Sequence, residues 1–517
     1  MAITKFKNEP FTDFSKAPNR KAMEKALKKI AGKLGKEYPI VIDGKEIRAN
    51  DTFTSVNPSD PSQVIGTFQK GDATLAKQGV DAALKTFETW KDVPAKQRAE
   101  YLFKAAALMR KRKHEFSACM VYEVGKSWPE ADGDTAEAID FIEYYAREMM
   151  RLNKPPALVK LPGEKNELRY IPLGVGAIIP PWNFPLAILV GMSMAAVVAG
   201  NTIVLKPSSD SPMIGWMFFE LMKEIGLPKG VINYVTGPGG AVGNTLVEHP
   251  QIRFISFTGS MEVGIQINER AAKVMPGQKW LKRVIAEMGG KDGIVVDEKT
   301  DLNAAAQATV ASAFGFQGQK CSAASRAIVH EKVYDKFVQL VREKTEDLTV
   351  GPSHMQANFM GPVINKSSYD KILAYIDTAV REGGWLVAGG GTMTSQGYFI
   401  QPTVIADVKP KDTIAQEEIF GPVLAIIKVK SFDEGLDVAN DTQFGLTGGV
   451  FTKDKKKIEK AKKVFHVGNF YVNRKITGAF VGAHPFGGFN MSGTDSKAGG
   501  YDYLQLLMQA KMIAEKI

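Results

Sequence analysis

The chain has only two cysteines in 517 residues, Cys119 and Cys321. Two are too few for a disulfide framework and are not spaced as metal-ligand pairs, so the sequence predicts no metal site and a reducing compartment, by default the cytoplasm. Long apolar runs are also missing. The longest, PLAILVGMSMAAVVAG at 185–200, is shorter than the roughly 20 residues of a membrane span, so a buried helix is expected and a membrane role is not. The first residues, MAITKFKNEPFTDFSK, lack the apolar centre of a secretory leader, so no targeting segment is expected. Internal repeats, low-complexity tracts and long linkers are absent as well, which excludes repeat architectures.

What the sequence does contain is 44% hydrophobic and 24% charged residues, the balance of an ordinary soluble chain, at a length that predicts more than one domain. The net charge of +10 comes largely from lysine clusters such as KAMEKALKKIAGKLGK near the start and KDKKKIEKAKK at 453–463. Both carry helical spacing with interspersed apolar residues, so they read as solvated helix faces rather than a nucleic-acid footprint.

After a short β-unit, YPIVIDGKEI, whose Asp43-Gly44 pair predicts a hairpin turn, the first 150 residues read as mostly helical. Asp72 is placed to cap a helix whose Val80, Ala83, Leu84, Phe87 and Trp90 share one face. A second long helix is expected through KQRAEYLFKAAALMRKRKHEF, followed by Cys119 as a small buried hydrophobe. From residue 171, short apolar runs alternate with helical segments, the pattern of a parallel sheet wrapped by helices with ligands at the carboxyl ends of its strands. A second alternation begins near residue 291 and carries Cys321 early within it, so the thiol is expected in a separate α/β domain that faces the first across an interface site.

FTGSMEVG at 257–264 reads as a strand, a glycine turn and a helix start. Gly259 and Gly264 leave room for close backbone approach to a pyrophosphate, and Ser260 can hydrogen-bond where the helix begins, although the pattern departs from GxGxxG. Asn183, between Trp182 and Phe184-Pro185, suits a cap on the following apolar helix. Glu287, between Ala286 and Met288, reads either as a salt-bridged turn residue or as a desolvated carboxylate of raised pKa.

Taken together, PPWNFP at 180–185, KPSSDSP at 206–212, FTGSMEVG, AEMGGKD at 286–292, GQKCSAASR at 318–326 and EEIFGP at 417–422 resemble the aldehyde dehydrogenase superfamily, in the same order and at similar intervals over residues 40–510. The resemblance implies an α/β fold with a Rossmann-type NAD-binding domain at 1–155 and 171–290, a catalytic domain at 291–490, and an oligomerisation arm and tail at 156–170 and 491–517. It implies Cys321 as the nucleophile, Asn183 as oxyanion donor and Glu287 as the base that activates water on the thioester. It further implies Lys206 at the adenine ribose, Glu418 at the nicotinamide ribose and Phe420 packed beside it. Where many NAD-specific members carry glutamate, this chain has Ser209. A carboxylate would repel a 2'-phosphate and serine would not, so NAD use with measurable NADP use is expected.

Ser322 and the stretch ITGAFVGAHPFGGFNMSGTDSKAGG at 476–500 resemble the 1-pyrroline-5-carboxylate dehydrogenase branch of that superfamily. The resemblance implies that Ser322, Gly478 and Ala479 anchor a substrate α-carboxylate, with Phe184 and Phe486 against its aliphatic part. The implied reaction takes L-glutamate γ-semialdehyde to L-glutamate, the second step of proline breakdown, with proline dehydrogenase as a separate metabolic partner chain. Another carboxylate-bearing semialdehyde, or a catalytically silent dinucleotide-binding scaffold, are the alternatives. KLPGEKNELRYIPLG at 160–174 alternates like a projecting hairpin, so at least a homodimer is expected.

Overall fold

The computed structural model describes residues 4–393 and 396–517. Two seven-stranded sheets dominate it. The first runs, edge to edge, through Arg283–Glu287, Ile252–Thr258, Val175–Ile179, Thr202–Leu205, Ile232–Tyr234, Ile40–Ile42 and Lys45–Ile47. Its first five strands are parallel and the last two antiparallel. From Val175–Ile179 the chain winds outward in one direction through three strands, then returns to the other side of that strand with Ile252–Thr258. The strand order therefore reverses between these two neighbours, where the loops at their carboxyl ends diverge and leave a crevice.

The second sheet lies within residues 293–472, with order Trp385–Ala388, Thr403–Ala406, Val423–Val429, Arg326–His330, Gly293–Val296, Thr447–Phe451 and Asn469–Val472. Only Trp385–Ala388 is antiparallel. Its central strands read as unbroken apolar runs because helices cover both faces, and two separate apolar clusters form on those faces.

Local expectations are met in detail. Asp43 and Gly44 have φ of 52° and 70°, the left-handed pair a two-residue hairpin turn needs between Ile40–Ile42 and Lys45–Ile47. The Asp72 carboxylate accepts from the Leu75 N–H. The apolar run folds as the helix Ala187–Val198, buried on nearly every side, and no helix among the described residues is long and apolar enough to cross a membrane.

Three expectations are corrected. The long helix through KQRAEYLFKAAALMRKRKHEF is two helices, Ala95–Lys111 and Lys113–Glu123, broken at Arg112, and Cys119 sits inside the second. The 160–174 stretch does not fold back on itself as a hairpin. Instead Glu164–Pro172 is one strand whose backbone edge pairs antiparallel with Met508–Lys516 over nine residues. Within 491–517, only Met508–Lys516 joins that ribbon, while residues 492–496 lie against Ala286, Glu287 and Met288.

Candidate active site

Asn183 follows the strand Val175–Ile179, and Ser260 follows Ile252–Thr258, so both stand at the crevice where the strand order reverses. Asn183 is buried, and its Nδ2 donates to the Gln319 carbonyl at 3.1 Å, two residues before Cys321. It does not cap the apolar helix. That task falls to Asp134, whose Oδ1 accepts from the Ala187 N–H at 2.6 Å; the Asn183 Nδ2 keeps a second hydrogen beside the one given to Gln319.

The Cys321 loop is held in an uncommon backbone shape. Phe316, Gln317 and Gly318 have φ of 49°, 56° and 66°, three successive left-handed residues. Such strain persists only where the surroundings enforce it. Gln317 Nε2 donates to the carbonyls of Gly125 and Pro362 at 2.9 and 2.7 Å, and Lys320 Nζ bonds Glu130 at 2.7 Å. A Cβ on Gly318 would lie 2.2 Å from the Gly421 carbonyl oxygen. The sequence signal was the glycine in GQKC, but the two left-handed residues ahead of it carry no signature of their own.

The Cys321 thiol is partly exposed, yet burial pushes its pKa well up, reinforced by the charges of Asp292, Glu418, Glu287 and Glu137. Glu287 ends the strand Arg283–Glu287 and is itself pushed up to about 8 by burial, against the hydrogen bonds from Ser496 and Gly488. It is not salt-bridged; its carboxylate oxygens accept from the Ser496 hydroxyl and, at 3.4 Å, from the Gly488 N–H.

The expected cofactor residues occupy the same crevice. Ser260 Oγ caps the helix Met261–Ala272 by accepting from the Val263 N–H at 3.3 Å. A Cβ on Gly264 would meet the Met288 sulfur at 2.3 Å, and one on Gly259 would meet the Phe257 ring at 2.5 Å. Lys206 is buried, its ammonium pushed down to about 8 by desolvation, and its Nζ donates to the Pro207 carbonyl at 3.2 Å. A buried cation with N–H groups to spare fits a ribose hydroxyl. Ser209 is exposed beyond it. Glu418 accepts from the Gly290 N–H at 3.0 Å; a Cβ on Gly289 would strike the Glu418 carboxylate at 2.1 Å and one on Gly290 the Cys321 carbonyl at 2.5 Å, so each of the paired glycines makes room for a different neighbour. Phe420 has φ of 58° and meets the Trp182 ring edge-on at 5.5 Å, so EEIFGP reaches PPWNFP.

Of the expected substrate residues, Ser322 is buried beside the thiol, and Thr447 Oγ1 donates to its carbonyl at 3.4 Å. Gly478 has φ of 75° and is exposed, with Ala479 partly buried next to it. Ser312, which sequence reasoning passed over, joins the two stretches: its Oγ accepts from the Ile476 N–H at 3.2 Å and its carbonyl from the Ala324 N–H at 3.1 Å. Phe486 pairs its backbone with Ala498. The Phe184 ring packs on the buried Lys126 ammonium at 3.9 Å, with Phe316 on it at 4.3 Å and Asp134 paired to it at 3.0 Å. Lys126 lies in the loop between the helix Lys113–Glu123 and the helix Trp128–Leu152, Asp134 lies in the latter, and neither stands in a visible motif. Among the described residues no group of histidines, cysteines and carboxylates is arranged to hold a metal.

A parallel sheet with its order reversed at the crevice, a thiol loop from a second sheet and a carboxylate at a strand end define a class. The chain belongs to the aldehyde dehydrogenase family, whose model matches residues 46–513. Within it, the chain is 56% identical over 513 residues to 1-pyrroline-5-carboxylate dehydrogenase from Geobacillus sp. (strain WCH70), covering 99% of each. The crystal structure of 1-pyrroline-5-carboxylate dehydrogenase from Thermus with bound NAD superposes with a TM-score of 0.98 at 50% identity over 100% of both chains. Proline utilization A from Bdellovibrio bacteriovorus matches with a TM-score of 0.97 at 46% identity, over 99% of this chain and 53% of that one.

Proposed function

We propose that the chain oxidises L-glutamate γ-semialdehyde, the open form of 1-pyrroline-5-carboxylate, to L-glutamate with NAD. The observation that carries this reading is the convergence at one crevice: Asn183 and Glu287 from the first sheet's strand ends meet the loop that holds Cys321. Full-length similarity to relatives named for that reaction supports the choice of substrate.

In this mechanism the 171–290 region holds the cofactor and the 291–490 region supplies the nucleophile. The Cys321 sulfur attacks the aldehyde carbon. The Asn183 amide and the Cys321 N–H donate to the oxygen that becomes negative, lowering the barrier because both are fixed before the charge appears. Lys206, Ser260, Gly259, Gly264, Glu418 and Phe420 would hold NAD, which would supply the acceptor for the hydride that the Cys321 adduct loses as it becomes a thioester. Glu287 then takes a proton from the water that attacks the thioester, a task suited to a carboxylate raised to about 8. The resting thiol, raised by burial and four carboxylates, is protonated at neutral pH, so NADH release in the first turnover quickens as pH rises.

Ser322 and the N–H groups of Gly478 and Ala479 bind the substrate α-carboxylate, because adjacent backbone N–H groups make an anion-binding concavity. Phe184 and Phe486 cover its aliphatic chain. The assay that tests this compares NADH formation from 1-pyrroline-5-carboxylate, succinic semialdehyde and propanal at matched concentrations, with NADP run alongside NAD. A clear preference for the first substrate is expected, with NADP giving a slower but measurable rate through Ser209. Equal rates on all three would remove the substrate assignment, and absence of NADH from any would leave a silent scaffold.

The enzyme works in the cytoplasm, beside a proline dehydrogenase on a separate chain. The ribbon of Glu164–Pro172 and Met508–Lys516, with Met512 about half exposed, joins subunits into at least a homodimer. Light scattering returning a monomer at working concentration would refute that.

A further inference from the structure

Glu287 sits in a cradle built by residues 492–498 together with Gly487 and Gly488. On one edge this segment pairs with the end of the first sheet. Met288 N–H donates to the Ser492 carbonyl at 2.8 Å, Thr494 N–H to the Ala286 carbonyl at 2.9 Å, and Ala286 N–H to Thr494 Oγ1 at 2.9 Å. On the other edge Ala498 and Phe486 exchange backbone hydrogen bonds at 2.8 and 2.9 Å. The Glu287 carboxylate lies between. A Cβ on Gly487 would come within 2.7 Å of Oε1, and one on Gly493 within 3.4 Å of both oxygens. At Gly487 a Cβ would also strike the Ser496 carbonyl, and at Gly493 the nearer clash is with the Ala286 carbonyl at 2.8 Å, so both glycines serve the close approach of this segment to the Glu287 strand. One side-chain donor reaches it, the Ser496 hydroxyl. Lys497, the adjacent cation, points its Nζ at the carbonyls of Gly468 and Gly487 instead.

We propose that Ser496 is a positioning residue for Glu287, holding the carboxylate within this cradle in the orientation from which thioester hydrolysis proceeds. The proposal rests on Glu287 being the hydrolytic base. The same segment is bonded to Phe486, so the wall expected to touch substrate and the residue that orients the base are carried by one ladder of backbone bonds.

The hydrogen bond also affects when the base is available. A donor on a carboxylate favours its charged form, so Ser496 opposes the burial that raises Glu287. The other groups facing that carboxylate are Lys497 and Asp495 on the same segment, the Cys321 thiol from the opposite loop and the Tyr503 phenol near the C-terminus. None of these is altered by a change at Ser496.

The test is burst and steady-state NADH formation by the full chain with 1-pyrroline-5-carboxylate and NAD across pH. Ser496→Ala should keep a burst of one NADH per site, lose about tenfold in steady turnover near pH 7, and move the acid limb of kcat up by about one pH unit. Ser496→Thr, which keeps the hydroxyl, should restore both. Unchanged turnover and limb in Ser496→Ala, or faster turnover, would overturn the proposal. Should the alanine variant not fold, Ser496→Cys, a weak donor, should give a smaller shift in the same direction, and wild-type values there would overturn it equally. Glu287→Gln separates the two claims. If it stalls after one turnover while Ser496→Ala behaves as wild type, only the role of Ser496 falls; if it turns over normally, the assignment of Glu287 falls first.

Discussion

The two cysteines share a thiol pKa that burial pushes well up, yet Cys119 is buried inside a helix while Cys321 is partly exposed in a loop. Cys119 is 1% exposed inside the helix Lys113–Glu123, and burial drives its thiol pKa well up, as it does for Cys321. Each also faces a carboxylate. Beside Cys119 that carboxylate is Glu123, whose two oxygens are committed to the Met213 and Ile214 N–H groups at 2.6 and 2.9 Å in the first turn of the helix Pro212–Glu224. Beside Cys321, Glu287 stands at a strand end, Asp292 and Glu418 on loops and Glu137 in the helix Trp128–Leu152, so they converge from four separate segments. A raised pKa therefore does not mark the reactive thiol. Position does: Cys321 stands just before the strand Arg326–His330, among the amino ends of the second sheet's strands, and meets groups at the carboxyl ends of the first, where backbone and side-chain groups converge without being consumed by sheet pairing.

That contrast can be broken or sharpened experimentally. The largest effect is expected from Cys321→Ala, which should reduce NADH formation from aldehyde to background in both burst and steady state. Asn183→Ala comes next, with a loss of about 10² to 10³ in kcat, the usual cost of removing one oxyanion donor. A loss under threefold would return Asn183 to a purely structural role through its bond to Gln319.

A smaller effect concerns stability. The folded chain holds a proton on Glu287 up to about pH 8, whereas the unfolded chain releases it in the ordinary carboxylate range. The folded pKa is the higher one, so this group's contribution is fully present at acid pH and is lost as pH rises through 8. Glutamine stays neutral throughout, so the Tm of Glu287→Gln should match wild type near pH 5 and exceed it at pH 9, measured by scanning calorimetry. A gap that shrinks with rising pH would contradict the assigned burial. The smallest effect is expected from Cys119→Ala, with kcat within twofold of wild type and a stability loss of about 1 kcal/mol from the lost packing. A large loss of turnover there would abolish the distinction between the two thiols.

The sequence carried the sheet pattern because its parallel strands are buried on both faces and must be apolar throughout. Asp43-Gly44, Asp72 and Ser260 were legible because turn and cap chemistry act over two or three residues. Asn183 was legible only in part: a capping role was equally good chemistry, and Asp134, 53 residues from the Ala187 it bonds, took it. The partner of Glu164–Pro172 was legible only by analogy, since the residues that pair with it lie at the other end of the chain.

By itself, then, the sequence determined which residues of this protein are chemically equipped: one cysteine in a small polar run, one glutamate before paired glycines, one asparagine ahead of an apolar helix. Tertiary structure decided which of them meet. Ser496 touches Glu287 across 209 residues, Lys126 supports Phe184, and Ser312 ties the 476 loop to the thiol loop. Such contacts leave no local signature because hydrogen bonding and packing act through space, and the chain's turns alone set which distant residues share it.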